Sequence, residues 1–557
     1  MFLFGTLIKR ALWRWLTSPA APSLRIVLFQ SARTRKAAGR WLPRRGSVAI
    51  SPAFPHAFRG AMRHVLVATL NMAALGSIAL KAAIPSQVEG VWKKVSCPFD
   101  SGRALLPVTC GRLEVPENYD EPGRAIEIAF MIVSPRHNLD PASPVIYLSG
   151  GPGAPSLVYA EMLVATPQIH DIVVDRDWVF YDQRGTGRSL PALLCPREND
   201  DIKRVNTCRD KLIKEGVDLS QYNSARSARD IETLKKALGV KQWNLWGTSY
   251  GSRLAFAVAR DFPASVRSII HDGASYPEGQ EIIDDFRGTE VALNRLLSKC
   301  AADAACSSRY PDLRARLLAA LPRLRQQPLV VGDKRIDDNK LIHYIRLYLF
   351  SGNPAMFEQR VQSLLAYMDA AARGDGQLMS HIEQRMPEEK ENETPVPVQG
   401  RYDMGQNLSV ECNEERPFES LDDYQRAAAK SEIVRALFGQ QAGLEEFDIC
   451  ALWPSGRAKP NRKARVYYDG PQLVFSGELD SSLSGLSGYT IEMLYPNARN
   501  VVFKNALHVQ VKLADFPPAL GDDYRMCALG LARQFLDDPQ LRLDTRCAGT
   551  RQLRLVQ

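Results

Sequence analysis

Acidic residues are missing from the first 88 positions, which hold 13 lysines and arginines and no aspartate or glutamate. The remaining 89–557 carry 58 basic and 62 acidic residues, so their net charge is −4 although that of the whole chain is +9. This body is mildly acidic and shows no basic patch typical of nucleic-acid binding. We therefore expect no nucleic-acid partner.

Metal-binding patterns and long apolar runs are also scarce. The chain has no Cys-x-x-Cys pair and no histidine cluster among its 8 histidines, so no metal site is expected. The apolar run from Val65 to Leu80 is short and interrupted by Thr69, Asn71 and Ser77. It does not read as a membrane span, and we expect none in the mature chain.

The basic segment 1–88 is predicted to be an N-terminal extension and targeting segment. Met62-Arg63-His64 and the apolar run after it have the layout of a secretory signal, and Ser77-Ile78-Ala79 offers small residues for cleavage. Met62 is then a candidate for the true start. Export to the periplasm or the medium is expected, and an uncleaved N-terminal anchor is the alternative.

The ten cysteines all lie after this segment and form close sequential couples. An even number of cysteines behind a signal-like segment indicates disulfides made in an oxidising compartment. Ten buried thiols are the alternative. Neighbour pairing, which sequence alone does not fix, joins Cys97 with Cys110, Cys195 with Cys208, Cys300 with Cys306, Cys412 with Cys450, and Cys527 with Cys547.

Short apolar strands alternate with helical segments in two stretches, 89–276 and 466–557. Strands that are apolar throughout favour a parallel sheet covered by helices on both faces. The intervening 277–465 shows helical periodicity without comparable strands, so we predict a helical cap over the strand ends. Its expected helices are 291–297, 313–324, 340–350, 356–372 and 421–437.

Gly247-Thr248-Ser249-Tyr250-Gly251 lies between a predicted strand and a predicted helix. That context is typical of a nucleophile elbow, in which a serine occupies a strained corner and flanking side chains would collide with their neighbours. An ordinary turn is the alternative for this pentapeptide taken alone. The elbow makes Ser249 a candidate nucleophile.

The groups that such a serine needs follow in order. Asp480 comes after one later strand and His508 after the next, and His508 is the only histidine beyond Asp480. Because a serine hydroxyl needs a general base held by a carboxylate, we predict the triad Ser249, His508 and Asp480. The order serine, acid, histidine is that of the α/β-hydrolase fold.

An early glycine turn, Ser149-Gly150-Gly151-Pro152-Gly153, follows another strand. Its position is where a second oxyanion donor is expected, because glycines let backbone N–H groups approach a substrate closely. We assign the oxyanion hole to the N–H groups of Tyr250 and Gly151, with Gly150 as the alternative to Gly151.

These motifs, together with Asp182-Gln183-Arg184-Gly185 and the entry segment 110–119, resemble the proline iminopeptidase and tripeptidyl aminopeptidase family of α/β-hydrolases, especially its secreted branch. The resemblance covers about 97–280 and 465–550. The chain departs from the family pattern at Ser149, at Ser481-Ser482 and at Ala506-Leu507. Asp182 to Ser189 is expected to be a structural loop with Arg184 in ion pairs.

The resemblance implies cleavage of residues or short peptides from a free amino end, through an acyl-enzyme and without a cofactor. A carboxylesterase with the same triad is the first alternative, and a non-catalytic binding protein is the second. The expected ligand is a peptide or a small ester; the oligomeric state is left open. An aminopeptidase must hold an ammonium group, and the candidate acids are Glu278, Glu411, Glu414 and Glu415.

Overall fold

The computed structural model describes most of the chain after residue 90. The described residues are 91–99, 106–121, 123–136, 143–165, 170, 172–173, 175–195, 202–350, 356–385, 402–439, 442–482, 486–511 and 523–556. The predicted targeting segment 1–88 and residues 386–401 lie outside them.

One large sheet forms where the sequence has its short apolar runs. Within the described residues it has nine strands, in the order β1-β2-β3-β5-β4-β6-β7-β10-β11. The strands are β1 (Trp92–Val95), β2 (Val108–Pro116), β3 (Ala125–Val133), β4 (Val145–Leu148), β5 (Trp178–Tyr181), β6 (Trp243–Thr248), β7 (Val266–Asp272), β10 (Gln472–Gly477) and β11 (Ala498–Phe503).

Six strands of this sheet, β4, β5, β6, β7, β10 and β11, are parallel, whereas β1, β2 and β3 add an antiparallel edge. Their register aligns the carboxyl ends, since Thr248 pairs with Asp272 and Asp272 pairs with Phe475. The loops after β6, β7, β10 and β11 therefore leave the sheet along the same edge, where ligands bind in open parallel sheets.

Helices cover both faces of the sheet, as predicted. Leu473 and Phe475 of β10 face a core with α1 and α16, and Val474 faces a second core with α3, α4 and α15. The helices of this part are α1 (Leu157–Ala165), α2 (Ile202–Lys214), α3 (Ser224–Ala237), α4 (Tyr250–Asp261), α15 (Leu486–Leu494) and α16 (Asp523–Asp537).

Between β7 and β10 the chain is mainly helical, with a separate apolar core built around α5, α7, α8 and α9. Its helices are α5 (Glu281–Ala302), α6 (Ala304–Arg309), α7 (Leu313–Gln326), α8 (Asp338–Phe350), α9 (Phe357–Arg373), α10 (Gly376–Glu383), α11 (Met404–Glu414), α12 (Leu421–Ala428), α13 (Glu432–Phe438) and α14 (Ala442–Leu452). We refer to α5–α14 as the cap.

Two sequence predictions for the cap were wrong. A short hairpin, β8 (Leu329–Val331) and β9 (Lys334–Ile336), interrupts the helices, because Gly332 at φ 61° permits a tight turn between two three-residue strands. The helix predicted over 421–437 is two helices, since Ser431 accepts a hydrogen bond from the Val434 N–H and begins α13 as its N-cap.

All ten cysteines are paired in disulfides, so the alternative of ten buried thiols is wrong and the predicted neighbour pairing is confirmed. The five bonds join Cys97 to Cys110, Cys195 to Cys208, Cys300 to Cys306, Cys412 to Cys450, and Cys527 to Cys547. The bond between Cys412 and Cys450 closes the longest loop and ties α11 to α14. Such crosslinks stabilise a fold chiefly by restricting the unfolded chain.

Over the described ranges, no helix combines the length and apolar character needed to cross a bilayer.

Candidate active site

Ser249 lies at the corner between β6 and α4 with φ 54° and ψ −123°, a backbone conformation that is strained for a residue with a side chain. The glycines beside it are required by close packing. A Cβ at Gly251 would lie 2.0 Å from the Leu148 carbonyl oxygen, and one at Gly247 would lie 2.5 Å from the Gly251 carbonyl oxygen. The predicted crowding around the serine is therefore present.

His508 and Asp480 form a buried hydrogen-bonded pair. The Nδ1 atom of His508 lies 2.8 Å from Oδ2 of Asp480, and the two side chains are 5% and 2% exposed. The other carboxylate oxygen of Asp480 accepts from the Ser482 N–H at 2.8 Å. The hydrogen bond with Asp480 holds the imidazole through Nδ1. The second ring nitrogen, Nε2, has no hydrogen-bond partner among the described residues.

The end of β7 lies between the serine and the histidine. The Ser249 N–H donates to the Asp272 carbonyl at 3.0 Å. The next residue, Gly273 at φ 69°, has the imidazole against its Cα, because a Cβ there would lie 2.8 Å from Cε1 of His508. The structure thus places Ser249, Asp480 and His508 after the carboxyl ends of β6, β10 and β11, and a hydrogen bond joins the last two residues.

Asp272 is a site residue that the sequence analysis missed. Its carboxylate accepts the N–H groups of Gln510 at 2.6 Å and Val511 at 2.8 Å, and the side chain is fully buried. Asp272 therefore ties the elbow and the histidine loop to one strand end. Asp-Gly at a predicted strand end was the available signal, but its contacts with 510 and 511 required the tertiary structure.

The cap contacts the His508 loop directly through the end of α8. The Phe350 ring stacks on the imidazole with centroids 4.7 Å apart and planes at 23°, and its carbonyl accepts the His508 N–H at 3.0 Å. The Leu349 carbonyl accepts the Ser481 N–H at 3.3 Å. The same helix end therefore positions the loops of both the histidine and the acid.

The glycine loop after β4 lies against the elbow, where the oxyanion donors were predicted. A Cβ at Gly150 would lie 2.9 Å from the Ser249 Cβ and 3.6 Å from its Oγ. Gly151 has φ 113°, a conformation favourable only to glycine. The N–H of Tyr250 belongs to the first turn of α4, where backbone donors have no acceptor within the helix.

The Asp182-Gln183-Arg184 loop supports this glycine loop. The Asp182 carboxylate accepts the N–H groups of Ser156, Leu157 and Arg188 at 2.7–2.9 Å. The predicted ion pairing of Arg184 is confirmed, because its guanidinium makes two 2.7 Å hydrogen bonds to the buried Asp230. The loop thus holds the backbone that follows the candidate oxyanion donors.

Three of the four candidate acids lie at or next to the end of α11. Glu414 accepts the N–H and the hydroxyl of Ser224 at 2.6 and 2.7 Å. Glu415 is fully buried and pairs with Arg253 and with Lys463, and burial raises its pKa to about 7. Both carboxylates already have strong partners.

Glu411 and Glu278 are less satisfied. Oε2 of Glu411 lies 3.6 Å from Arg416 and accepts no hydrogen bond within the described part of the chain, while burial raises the pKa of the carboxyl well above its usual value. Neither carboxylate oxygen of Glu278 has a partner there, and burial raises the pKa of this carboxyl too. Burial raises the pKa of the Tyr250 hydroxyl, and the charges of Glu414 and Glu411 add to this effect.

Comparison with known proteins agrees with this geometry. A family model described as the α/β hydrolase fold matches residues 143–310, which include the glycine loop and the elbow. The chain has the α/β-hydrolase fold. The strand order and the elbow between β6 and α4 are those expected of an α/β-hydrolase.

Several relatives of this α/β-hydrolase are named as peptidases. It is 29% identical over 240 residues to serine protease Hip1 of Mycobacterium tuberculosis, covering 38% of this chain and 45% of that protein. It is 27% identical over 199 residues to the tripeptidyl aminopeptidase of Streptomyces lividans, covering 32% and 37%. The matches thus span less than half the length of these relatives.

Among solved structures, the proline iminopeptidase of Mycobacterium smegmatis is similar at 16% identity and a TM-score of 0.32. The likeness covers 77% of this chain and 98% of that one. At this score it does not align individual site residues.

Replacing Asp272 by asparagine should disturb the histidine loop, because an amide oxygen accepts one of the two N–H groups and the amide nitrogen repels the other. We expect the rate of Ser249 labelling by a fluorophosphonate to fall roughly 10- to 100-fold, as for other small misplacements of reacting groups. Asp469→Asn, at an exposed position before β10, is the control. Labelling of Asp272→Asn at the wild-type rate would contradict the positioning role.

Asp403, just before α11, should make stability depend on pH. Burial, reinforced by Asp182, raises its pKa to about 7, and its Oδ2 accepts the Gly187 N–H at 2.8 Å. Because the folded state then binds more protons than the unfolded state between pH ~4 and ~7, this contribution to stability is full below pH ~4 and is lost as the pH rises through ~7.

Asp403→Asn keeps an acceptor for Gly187 and removes the titration. Urea unfolding at pH 5, 6, 7 and 8 should show the variant gaining stability relative to wild type as the pH rises, by at most about 1.4 kcal/mol per pH unit. Asp469→Asn should show no such trend. A pH-independent difference between Asp403→Asn and wild type would rule out the titration of this carboxyl.

Proposed function

We propose that the protein is an exported serine peptidase that removes residues or short peptides from free N-termini through an acyl-enzyme. The observation that carries the proposal is the 2.8 Å hydrogen bond between His508 and Asp480 at the strand edge that also presents Ser249 on a strained elbow. A hydroxyl, an imidazole that can take its proton and a buried carboxylate that holds the imidazole form the minimal machinery for acyl transfer.

In the proposed mechanism, the Ser249 hydroxyl attacks the scissile carbonyl while Nε2 of His508 takes its proton. Asp480 holds the imidazole through Nδ1 and stabilises the imidazolium that forms. The N–H groups of Tyr250 and of Gly151, or of Gly150 in its place, stabilise the oxyanion. His508 then protonates the leaving amine, and it next activates the water that releases the acyl group from Ser249.

A preference for free N-termini is supported by the acids of α11. The helix starts beside the glycine loop, since the Asp403 N–H donates to the Gly153 carbonyl at 2.9 Å, and Glu411 lies about two turns further along it. A buried carboxylate without a hydrogen-bond donor gains most from an incoming ammonium group, which would supply both the charge and the donors. We assign this role to Glu411.

Export is supported by the five disulfides, because such crosslinks form and persist in oxidising compartments. The peptide substrate is supported by the peptidase names of the relatives Hip1 and tripeptidyl aminopeptidase. Both lines of support are independent of the site geometry.

The first test compares Ser249→Ala with wild type on a tripeptidyl anilide, on its N-acetylated form and on a short-chain acyl ester. Wild type should cleave the free-amino anilide best, and the variant should lose roughly 10⁴- to 10⁶-fold in kcat, as expected when the nucleophile is removed. A fluorophosphonate should label wild type only. Ester turnover without any gain from a free α-amine would favour the carboxylesterase instead, and absence of labelling would exclude the serine mechanism.

The second test separates the two unsatisfied carboxylates. Glu411→Gln should lower kcat/KM for the free-amino anilide by roughly 10- to 100-fold, the value of a charge-assisted contact, and leave ester hydrolysis nearly unchanged. Glu278→Gln is the matched control, because it removes the charge from another buried carboxylate that lacks a partner within the described residues. The reverse result would move the ammonium site to Glu278.

A further inference from the structure

A cavity of about 600 Å³ lies outside the site described above. Its walls come from the start of α3, from one face of α4 and from residues 455–463 of the chain returning from the cap. None of Ser249, Asp480, His508, Gly150 and Gly151 lines it. Its volume is that of a pocket for a small organic molecule.

The charge of the lining is strongly unbalanced, with eight lysines and arginines against three acidic residues. Five of the nine residues in 457–465 are basic and none is acidic, although the body of the chain is mildly acidic. The other cations of the lining come from α3 and α4, more than 190 residues earlier, so this run alone does not predict the cavity. Only the fold gathers them.

Six of the eight cations already pair with acids. Arg253 pairs with Glu281, Glu414 and Glu415, and Lys463 pairs with Glu415. The remaining acids are each shared by two cations. Asp120 pairs with both Arg226 and Arg229, and Asp261 pairs with both Arg260 and Arg462. Burial, together with the positive charge of Arg462, lowers the pKa of Arg260. The cations here repel one another and would gain from an added negative charge.

Two further cations have no acidic partner within the described residues. Arg457 donates to the Pro417 carbonyl at 2.9 Å and lies over the Phe418 ring, and Lys459 forms no ion pair with those residues. Both side chains are exposed at the rim of the cavity. They can turn toward a ligand without breaking an existing ion pair.

We propose that this cavity binds an anionic small molecule that carries at least two phosphate or carboxylate groups. Planar guanidinium groups from three segments offer paired donors that match such oxyanions. A substrate ammonium would be repelled here, so this site is separate from the one assigned to Glu411. The inference does not depend on the proposed peptidase function.

Isothermal titration of the full-length protein with inorganic pyrophosphate tests the proposal. We expect one site per chain, with affinity that weakens when NaCl is raised from 50 to 200 mM, because exposed charges are screened. Arg457→Gln/Lys459→Gln should bind pyrophosphate at least tenfold more weakly. Neither substitution leaves an unpaired acid, so the fold should be retained, which thermal unfolding without ligand will verify.

The matched control is Lys93→Gln/Lys94→Gln, which removes the same charge from two exposed residues of β1 and should leave binding unchanged. Ser249→Ala should also bind as wild type, so the inference and the peptidase proposal can fail separately. The absence of binding at 1 mM pyrophosphate would overturn the proposal. Equal weakening of pyrophosphate binding in the two double variants would overturn it too. Tenfold tighter binding of a hexaglutamate peptide would overturn it in favour of an acidic protein segment.

Discussion

Close backbone packing between β4 and the start of α4 is the constraint from which the site follows. The Leu148 carbonyl lies where a side chain at Gly251 would have to go, so the helix can approach the strand only if that residue is glycine. This approach turns the chain sharply at Ser249 and brings Gly150 against it. The position of Ser249 and that of the glycine loop are therefore set by one contact.

The sequence was sufficient for features that are encoded locally. Gly247 to Gly251, the apolar strands and the order of Ser249, Asp480 and His508 each lie within short windows or follow a simple rule of order. The parallel sheet, the two helical faces and the cap of α5–α14 followed from the same signals.

The sequence was insufficient where distant residues cooperate. Asp272 gains its role from N–H groups 238 and 239 residues away, and Phe350 gains its role from a histidine beyond the cap. The helix α11 was not predicted, because its buried face is largely polar, with Gln406, Ser409 and Glu411 among its buried residues. Such a face has no apolar periodicity to detect.

Buried charge is divided around the end of α11. Three acids lie there, Glu411, Glu414 and Glu415, and Arg253 of α4 forms ion pairs with the last two. The Ser224 hydroxyl lies 2.7 Å from both the Glu414 carboxylate and the Tyr250 hydroxyl. Ser224 also lines the cavity proposed to bind anions, so a single side chain separates that cavity from the residue that follows Ser249. Electrostatic changes in the cavity can therefore reach Tyr250 through this short chain of hydrogen bonds.

The stacking of Phe350 on the imidazole also limits how the molecule can diversify. A segment that orients His508 cannot be exchanged freely between homologues, because a grafted cap must restore both the aromatic contact and the carbonyl that accepts the N–H of residue 508. The end of α8 is thus the part of the cap that is least free to change, because two separate contacts hold residue 508 to it.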